Sequence, residues 1–202
     1  MPIWGIDLGG TKIEGVVLND DKVPKILVRK RIDTEAAQGY QHIISRIKLL
    51  IDTMAHELGY FPEKIGLGTP GVIDPISGLM KNANTTILNG RYFKEDVKKA
   101  LGIPLQMAND ANCFALAEYK MGIVARESPQ VNVVFGVIMG TGVGGGIVVN
   151  GQLIHGRQGI GGEWGHNFLD VSGGPCYCGK AGCVETVISG KNLERYHHEK
   201  FH

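Results

Sequence analysis

Two glycine-rich turns, one in each half of the chain, could hold a phosphate group. Each turn follows an apolar strand pattern and precedes a second one, within residues 5–18 and 137–149. Glycine lets backbone N–H groups face outward and come close to an anion, so two such turns predict two lobes that grip a polyphosphate from opposite sides. The turn residues are Asp7, Gly9, Gly10, Thr11 and Lys12 in the first half and Gly140, Thr141, Gly142 and Gly144 in the second. A glycine-rich hairpin without a ligand is the alternative.

Two other phosphate motifs do not fit the second turn. Gly140, Gly142 and Gly145 match G-x-G-x-x-G, but a dinucleotide-binding fold needs a helix after this motif. Here a strand pattern and the hairpin signal Asn150-Gly151 follow. The sequence contains neither Gly-Lys-Ser nor Gly-Lys-Thr, which excludes a P-loop.

Two aspartates follow strand patterns, where open α/β sheets bind their ligands. Asp7 ends the first strand, and a carboxylate there could hold Mg²⁺ directly or through water; a turn-capping role is the alternative. Asp110 follows the strand pattern of residues 105–108 and precedes a helix. Since an ordinary Asp titrates near ~3.9, Asp110 would stay ionised at pH 7 and could take the proton of a hydroxyl during phosphoryl transfer. An N-cap role is the alternative.

One histidine and three cysteines have a spacing typical of a metal site. His166, Cys176, Cys178 and Cys183 supply four ligands, which completes the tetrahedral coordination of Zn²⁺ and leaves no open position. We therefore predict a structural zinc knuckle without a hydrolytic role. Three reduced cysteines in a loop are the alternative.

Two glutamates flank this knuckle and predict a sugar site. Glu163 lies three residues before His166, and Glu185 lies two residues after Cys183. A metal-bound imidazole has a fixed tautomer, so its second ring N–H needs a partner. We expect a substrate hydroxyl there, with both glutamates accepting from neighbouring hydroxyls. Solvated loop glutamates are the alternative.

Composition narrows the class of protein. The chain has 202 residues and a formal net charge of +1, which gives no electrostatic reason to expect nucleic-acid or membrane binding. The apolar runs are too short for a membrane span, and the amino terminus lacks a signal-peptide pattern. We therefore expect a cytoplasmic protein, whose clustered cysteines would stay reduced.

The element pattern predicts a mixed α/β fold. Strand patterns open the chain, helices and strands then alternate, and a second meander begins at residue 132. The stretch 122–130 lacks periodicity, so we expect an α/β lobe over residues 1–122 and a partial second lobe over 123–202, with the knuckle at about 156–185. The patterns predict strands at 3–8, 13–18, 23–32, 64–68, 105–108, 132–139, 145–149 and 152–155, and helices at 40–58, 93–101, 111–119 and 189–202.

Six motifs occur in order along most of the chain. They are Gly5-x-Asp7-Leu8-Gly9-Gly10-Thr11-Lys12, Gly68-Thr69-Pro70-Gly71, Asn109-Asp110-Ala111-Asn112, Gly140-Thr141-Gly142-x-Gly144-Gly145-Gly146, Gly162-Glu163-Trp164-Gly165-His166 and Cys176-Tyr177-Cys178-Gly179-x-x-Gly182-Cys183-x-Glu185. Together they resemble the motifs of the ROK family (repressor, open reading frame, kinase). The resemblance implies a ribonuclease-H-like, actin-type ATPase fold with two lobes.

The same resemblance implies an ATP- and Mg²⁺-dependent sugar kinase. It makes Asp110 the catalytic base, the two glycine-rich turns the phosphate loops, and the knuckle a zinc site. The implied sugar contacts are Asn84, Asn109, Glu163, His166 and Glu185.

Within the family, the stretches 72–90, 163–167 and 175–180 resemble the fructokinase and mannokinase branch. This implies a fructose-type hexose as the substrate, with glucokinase or N-acetylhexosamine kinase specificity as the alternative. Family members continue well past residue 202, so we expect a truncated second lobe and an incomplete adenine pocket. A catalytically inactive, zinc-stabilised sugar-binding module is the rival function. We also expect a homodimer.

Overall fold

The computed structural model describes residues 1–21 and 23–201 of the chain. The chain divides into two compact units, Met1–Asp110 and Ala111–His202. Each unit contains a sheet of its own, and each carries one of the two glycine-rich turns.

The first unit is built on a mixed five-stranded sheet. Along the chain it contains β1 (Ile3–Leu8), β2 (Lys12–Leu18), β3 (Ile26–Asp33), α1 (Tyr40–Leu58), β4 (Ile65–Thr69), β5 (Val72–Ile73), β6 (Met80–Lys81), α2 (Phe93–Leu101) and β7 (Leu105–Asn109). The sheet order is β3-β2-β1-β4-β7. β1, β2 and β3 form an antiparallel meander, whereas β1, β4 and β7 run parallel. The strands and helices predicted for this unit are present, with the third strand beginning at Ile26 rather than at residue 23.

Helix α1 packs on β2 and β3 because its apolar residues recur at helical spacing. Its buried residues are Ile43, Ile44, Ile47, Leu50, Ile51, Met54 and Ala55. Gly15 on β2 leaves room for this face, since a Cβ at Gly15 would lie 2.5 Å from Met54 Cε. The helix ends at Gly59, whose φ of 78° is left-handed and whose N–H donates to Ala55 O (2.8 Å). The predicted helix over residues 40–58 is confirmed.

The parallel strands bring polar residues to one edge of the sheet. Asp7 on β1 is paired with Gly68 on β4, and Thr69 on β4 is paired with Asn109 on β7. Asp110 follows Asn109 directly as the first residue of the next helix. Since open α/β sheets bind ligands outside the carboxyl ends of their strands, this edge gives the first unit a place for chemistry.

The second unit contains an antiparallel three-stranded sheet. Its elements are α3 (Asp110–Lys120, whose first residue belongs to the first unit), α4 (Ile123–Glu127), β8 (Val133–Met139), β9 (Val143–Val149), β10 (Gln152–Leu153), α5 (Val184–Ile188) and α6 (Gly190–Phe201). The sheet order is β10-β9-β8. Asn150 and Gly151 join β9 to β10 with positive φ values of 49° and 77°, as a two-residue hairpin requires. The predicted terminal helix is present from Gly190 to Phe201, and His202 lies outside the described residues.

Helix α3 comes unusually close to β8 and β9 at two glycines. A Cβ at Gly136 would lie 2.7 Å from Ala115 Cβ, and a Cβ at Gly146 would lie 2.6 Å from Ala111 O. Real Cβ atoms do not tolerate such distances without a shift of the backbone. Glycine at these two strand positions and alanine on the helix therefore set the spacing between α3 and the second sheet.

The compact units part between Asp110 and Ala111, because α3 lies on the second sheet. The polar stretch after residue 122, predicted to be aperiodic, contains the short helix α4. The division into lobes 1–122 and 123–202 assigns α3 to the first lobe and stays a prediction. Among the residues described, no helix combines the length and apolar character needed to cross a bilayer.

Candidate active site and metal knuckle

The first glycine-rich turn, residues 9–12, is fixed by backbone bonds within its own unit. Gly9 N–H donates to Lys12 O (2.9 Å). Thr34 holds the turn twice: its N–H donates to Thr11 O (2.9 Å), and its hydroxyl donates to Gly9 O (2.8 Å). Thr34 is fully buried, and sequence reasoning missed it. These bonds hold the turn in a defined conformation, and preorganisation of this kind lowers the entropy cost of binding.

Lys12, predicted to meet a phosphate, forms an ion pair with Asp33 in this structure. The two residues face each other in the β2–β3 register, and both side chains are more than half exposed. An exposed ion pair contributes about 0–1 kcal/mol. The pair with Asp33 is therefore weak enough for a phosphate group to compete for the Lys12 ammonium.

Asp7 and Asp110 lie close enough to influence each other's charge. Partial loss of hydration raises the pKa of Asp7; the negative charges of Asp110 and Glu14 raise it further, and Arg31 opposes them. Two carboxylates that repel each other gain most from a divalent cation, and oxygen ligands are what Mg²⁺ prefers. The structure thus brings together the residue predicted to hold Mg²⁺ and the residue predicted to act as the base.

The strand end beside this pair is held by Thr69. Its hydroxyl donates to Gly71 O (3.0 Å) and also lies 3.3 Å from Ala108 O. Asn109 is buried and Asp110 is half-buried. Asp110 therefore sits on a rigid strand-to-helix junction, as a positioned base requires.

The loop that carries Asn84 is rigid as well. The Asn89 side chain forms two hydrogen bonds with the backbone of Ala83: it accepts from the N–H (2.9 Å) and donates to the carbonyl (3.0 Å). Gly71 allows the loop to approach, since a Cβ there would lie 2.7 Å from Ala83 N. Asn84 itself is exposed, and its neighbour Thr85 lies against the first turn, with the hydroxyl 3.3 Å from where a Cβ of Gly10 would be. The predicted sugar residue Asn84 and the first phosphate turn are therefore neighbours.

The second glycine-rich turn is shorter than its motif. Only residues 140–142 form the turn, closed by a bond from Gly140 N–H to Gly142 O (2.9 Å). Gly190 N–H, at the start of α6, donates to Gly140 O (2.8 Å). Thr141 at the tip is exposed. The turn offers backbone groups to solvent, as a phosphate loop would.

The glycines that follow the turn belong to β9. Gly144 O accepts from Trp164 Nε1 (3.1 Å), and a Cβ at Gly145 would lie 2.8 Å from Trp164 Cδ1 and from Gly162 O. These glycines let the strand come close to the segment that carries Glu163. Gly144, predicted to bind phosphate, thus has a packing role that the motif alone does not reveal.

The four predicted metal ligands converge. The ligand atoms of His166, Cys176, Cys178 and Cys183 all lie within 4.8 Å of one another. Cys176 Sγ lies 3.5 Å from His166 Nδ1, and Cys178 Sγ lies 3.6 Å from Cys183 Sγ. A tetrahedral Zn²⁺ with Zn–S bonds of about 2.3 Å separates its sulfur ligands by roughly 3.8 Å, so the observed spacing fits zinc. The three cysteines of this cluster form no disulfide bond.

The buried position of Cys183 disfavours the thiolate form of its side chain unless a cation compensates the charge. Cys183 has no exposed surface. Burial raises the pKa of its thiol to about 12, and the neighbouring Cys178 and Cys176 add to the increase. Three thiolates cannot be held together at neutral pH without a compensating charge, which a zinc ion would supply.

The ring of His166 faces a tyrosine that sequence reasoning missed. His166 Nε2 lies 3.0 Å from the Tyr177 hydroxyl, and the rings stack edge to face with centroids 5.0 Å apart. The sequence predicts a sugar hydroxyl as the partner of this ring nitrogen; Tyr177 occupies that position in this structure, and the sugar contact stays a prediction. Burial and the charge of Glu185 raise the pKa of Tyr177 to about 12, so its hydroxyl stays protonated at neutral pH.

Glu185 contacts the second turn, which the sequence does not indicate. Its Oε2 accepts a hydrogen bond from Val143 N–H (3.0 Å), and its own N–H donates to Gly165 O (2.9 Å). Glu163 is half-buried and lies on a turn closed by its N–H to Ile160 O (3.1 Å). The Glu163 and Glu185 charges both act on Tyr177.

The predicted residues thus form one group in each unit. In the first unit the structure brings together Asp7, the 9–12 turn, Asn84, Asn109 and Asp110. In the second unit it brings together the 140–142 turn, Glu163, His166, Glu185 and the three cysteines.

Comparison with known proteins shows the family to which the chain is similar. The family model described as "ROK family" matches residues 3–202. N-acetyl-D-glucosamine kinase from Aliivibrio salmonicida is 33% identical over 201 aligned residues, which cover 95% of this chain and 64% of that protein. The enzyme of the same name from Pectobacterium atrosepticum is 35% identical over the same shares. The chain therefore spans about 64% of the length of these curated relatives.

Solved structures show the same likeness. The ROK hexokinase from Thermus thermophilus is 32% identical with a TM-score of 0.80, and the match covers 100% of this chain and 64% of that one. A ROK family glucokinase from Streptomyces griseus, solved with glucose and AMPPNP, is 30% identical with a TM-score of 0.82, over 98% of this chain and 61% of that one. These structures have the actin-like ATPase fold, so the predicted fold class is confirmed.

Proposed function

Because this chain belongs to the ROK family, we propose that it transfers the γ-phosphoryl group of ATP to a hydroxyl of a hexose. One observation carries the proposal: the carboxyl edge of β1, β4 and β7 presents Asp7 and Asp110 within charge range of each other. A rigid glycine turn, residues 9–12, follows β1 directly. In-line phosphoryl transfer requires a base, a site for Mg²⁺ and a phosphate-binding loop, and these residues could supply all three.

The proposed reaction assigns each of these residues a step. Asp110 accepts a hydrogen bond from the attacking sugar hydroxyl, orients it, and takes its proton as the bond to phosphorus forms. The N–H groups of the glycine turns and the Lys12 ammonium stabilise the charge that develops on the phosphoryl oxygens. Asp7 would hold Mg²⁺, which neutralises phosphate charge when bound. Asn84 and Asn109 would orient the sugar.

For the second unit we propose a structural Zn²⁺ on the four His and Cys ligands. His166 and Cys183 would hold the metal near both ends of the segment that carries Glu163 and Glu185, since they lie near these glutamates in sequence. Fixed carboxylates are suited to accept from sugar hydroxyls at set distances. The support for this proposal is the convergence of the ligand atoms.

The relatives favour N-acetylglucosamine or glucose as the sugar. Two of them are named N-acetyl-D-glucosamine kinase, and a glucokinase relative was solved with glucose. Fructose, which the motif resemblance favours, therefore ranks behind these two. A catalytically inactive sugar-binding module is the second candidate; the chain spans about 64% of its relatives' length.

A coupled assay of ADP release distinguishes these functions. The chain is incubated with ATP, Mg²⁺ and one of N-acetylglucosamine, glucose, mannose or fructose. We expect the highest kcat/KM with N-acetylglucosamine or glucose. Measurable sugar binding by calorimetry without turnover of any sugar would instead establish the inactive module.

Replacing Tyr177 by Phe should strengthen sugar binding. The change frees His166 Nε2 from the Tyr177 hydroxyl, so a sugar hydroxyl no longer has to displace it. Since a net hydrogen bond contributes about 1 kcal/mol, we expect the Kd for N-acetylglucosamine, measured by calorimetry, to fall about fivefold. Tyr196→Phe is the matched control, because that hydroxyl accepts from Lys200 on α6 (2.9 Å). A Kd for Tyr177→Phe that is unchanged or weaker would show that the tyrosine does not compete with sugar.

A further inference from the structure

The carboxylate of Glu185 joins the metal knuckle to the second glycine turn. Glu185 Oε2 accepts from Val143 N–H at 3.0 Å, directly after the turn. The side chain fits there only because residue 142 is glycine: a Cβ at Gly142 would lie 2.5 Å from that oxygen. The carboxylate therefore contacts the turn directly, and its position depends on the conformation of the turn.

The backbone of Glu185 is anchored separately. Its N–H donates to Gly165 O (2.9 Å), next to the metal ligand His166, and the metal ligand Cys183 lies two residues earlier. The Thr186 hydroxyl adds a bond to Cys183 O (2.8 Å). These bonds anchor the backbone of Glu185. Because its carboxylate also contacts the turn, a movement of the carboxylate should be coupled to a movement of the turn.

We propose that Glu185 is a positioning residue that couples sugar occupancy to the conformation of the 140–142 turn. The inference rests on the proposed function and deepens it. A carboxylate has about four acceptor sites on its two oxygens, so Glu185 can accept from Val143 and from a sugar hydroxyl together. A sugar hydroxyl that donates to this carboxylate would then change the conformation of the 140–142 turn, which is the proposed phosphate loop.

Coupling of this kind is reciprocal. If sugar changes the affinity of the turn for nucleotide by some factor, nucleotide changes the affinity for sugar by the same factor. The shared carboxylate supplies the differential contact that such coupling needs. Breaking the bond from Val143 to Glu185 should therefore remove the coupling without removing either ligand site.

Amide hydrogen exchange at Val143, followed by NMR on the full chain, tests the positioning role without any activity. In Glu185→Ala the exchange rate should rise about tenfold, because a hydrogen bond to a charged acceptor is lost. Glu185→Gln should restore most of the protection, since its amide oxygen can accept. Equal protection in the wild type and in Glu185→Ala would overturn the proposal.

Two alanine substitutions in the turn form a matched pair. Gly142→Ala places a Cβ where the Glu185 carboxylate lies, whereas Gly140→Ala meets no atom within 4 Å. Neither glycine has a left-handed φ, so alanine is tolerated by the backbone at both. Exchange at Val143 should accelerate in Gly142→Ala and remain slow in Gly140→Ala. The same rate in both variants would contradict the contact.

The kinetic arm tests the coupling with N-acetylglucosamine, glucose and ATP. Glu185→Ala should raise the KM for sugar and the KM for ATP, each by about tenfold. Glu185→Gln, which loses the charge but keeps the Val143 bond, should raise the KM for sugar and leave the KM for ATP unchanged. An unchanged KM for ATP in Glu185→Ala overturns the coupling. Absence of turnover in the wild type overturns the proposed function instead, and the exchange measurements still decide the positioning role.

Discussion

Replacing Asp110 by Asn is expected to lower kcat by about 10²–10⁴-fold and to leave the sugar Kd nearly unchanged. Asn keeps the size of the side chain, but it cannot take a proton. Because the Asp7 and Asp110 charges repel each other, the substitution also lowers the pKa of Asp7 toward its ordinary value. The measurements are steady-state ADP release and calorimetric titration with N-acetylglucosamine.

Asp52→Asn is the matched control for that substitution. Asp52 is an exposed residue of α1 that pairs with Lys48 one turn away (2.7 Å). Its loss should change neither kcat nor the Kd for sugar, because exposed pairs contribute little. Turnover by Asp110→Asn at the wild-type rate would remove Asp110 from the mechanism, and a large loss of sugar binding would make it a substrate-positioning residue.

Removing the metal should unfold the knuckle. We expect elemental analysis to find one zinc ion per chain. The Cys183→Ser substitution or a strong chelator should remove this bound zinc. Structural zinc supplies on the order of 10 kcal/mol of ordering free energy in small domains, which is comparable to the whole stability of a protein at about 5–15 kcal/mol. Hydrogen exchange within residues 163–185 should therefore rise by orders of magnitude, and sugar binding should be lost with it.

Cys113→Ser controls for the general effect of removing a cysteine. Cys113 lies on α3 and is not one of the clustered ligands, so this variant should retain zinc. A chain that is metal-free yet shows wild-type exchange protection across the knuckle would contradict the structural role of the metal.

The sequence predicts well those parts of the fold that depend on a single helix, strand or turn. The helical spacing of apolar residues predicts α1 and α2 at 40–58 and 93–101, and the left-handed glycines Gly59 and Gly102 follow the ends of these helices. The Asn150-Gly151 signal identified a hairpin with the required positive φ values. These features depend on residues that are adjacent in the sequence, so they can be predicted without knowledge of tertiary contacts.

Tertiary contacts were the part that could not be predicted. Thr34 fixes the first turn from a distance of more than twenty residues, and Glu185 reaches Val143 across a separation of 42 residues. Tyr177 lies inside a recognised motif, yet its contact with His166 depends on how the knuckle folds. Residue types indicated the chemistry of the site, whereas the partners that orient those residues came from packing.

The run of glycines in β9 has a consequence for the order of folding. A strand with Gly144, Gly145 and Gly146 in succession has little intrinsic preference for the extended state, because glycine loses the most conformational freedom and offers no side chain to its neighbours. Those positions are satisfied by α3 on one side and by Trp164 on the other. We therefore expect the hairpin of β8 and β9 to be a poor folding nucleus that becomes stable only after α3 and Trp164 pack against it.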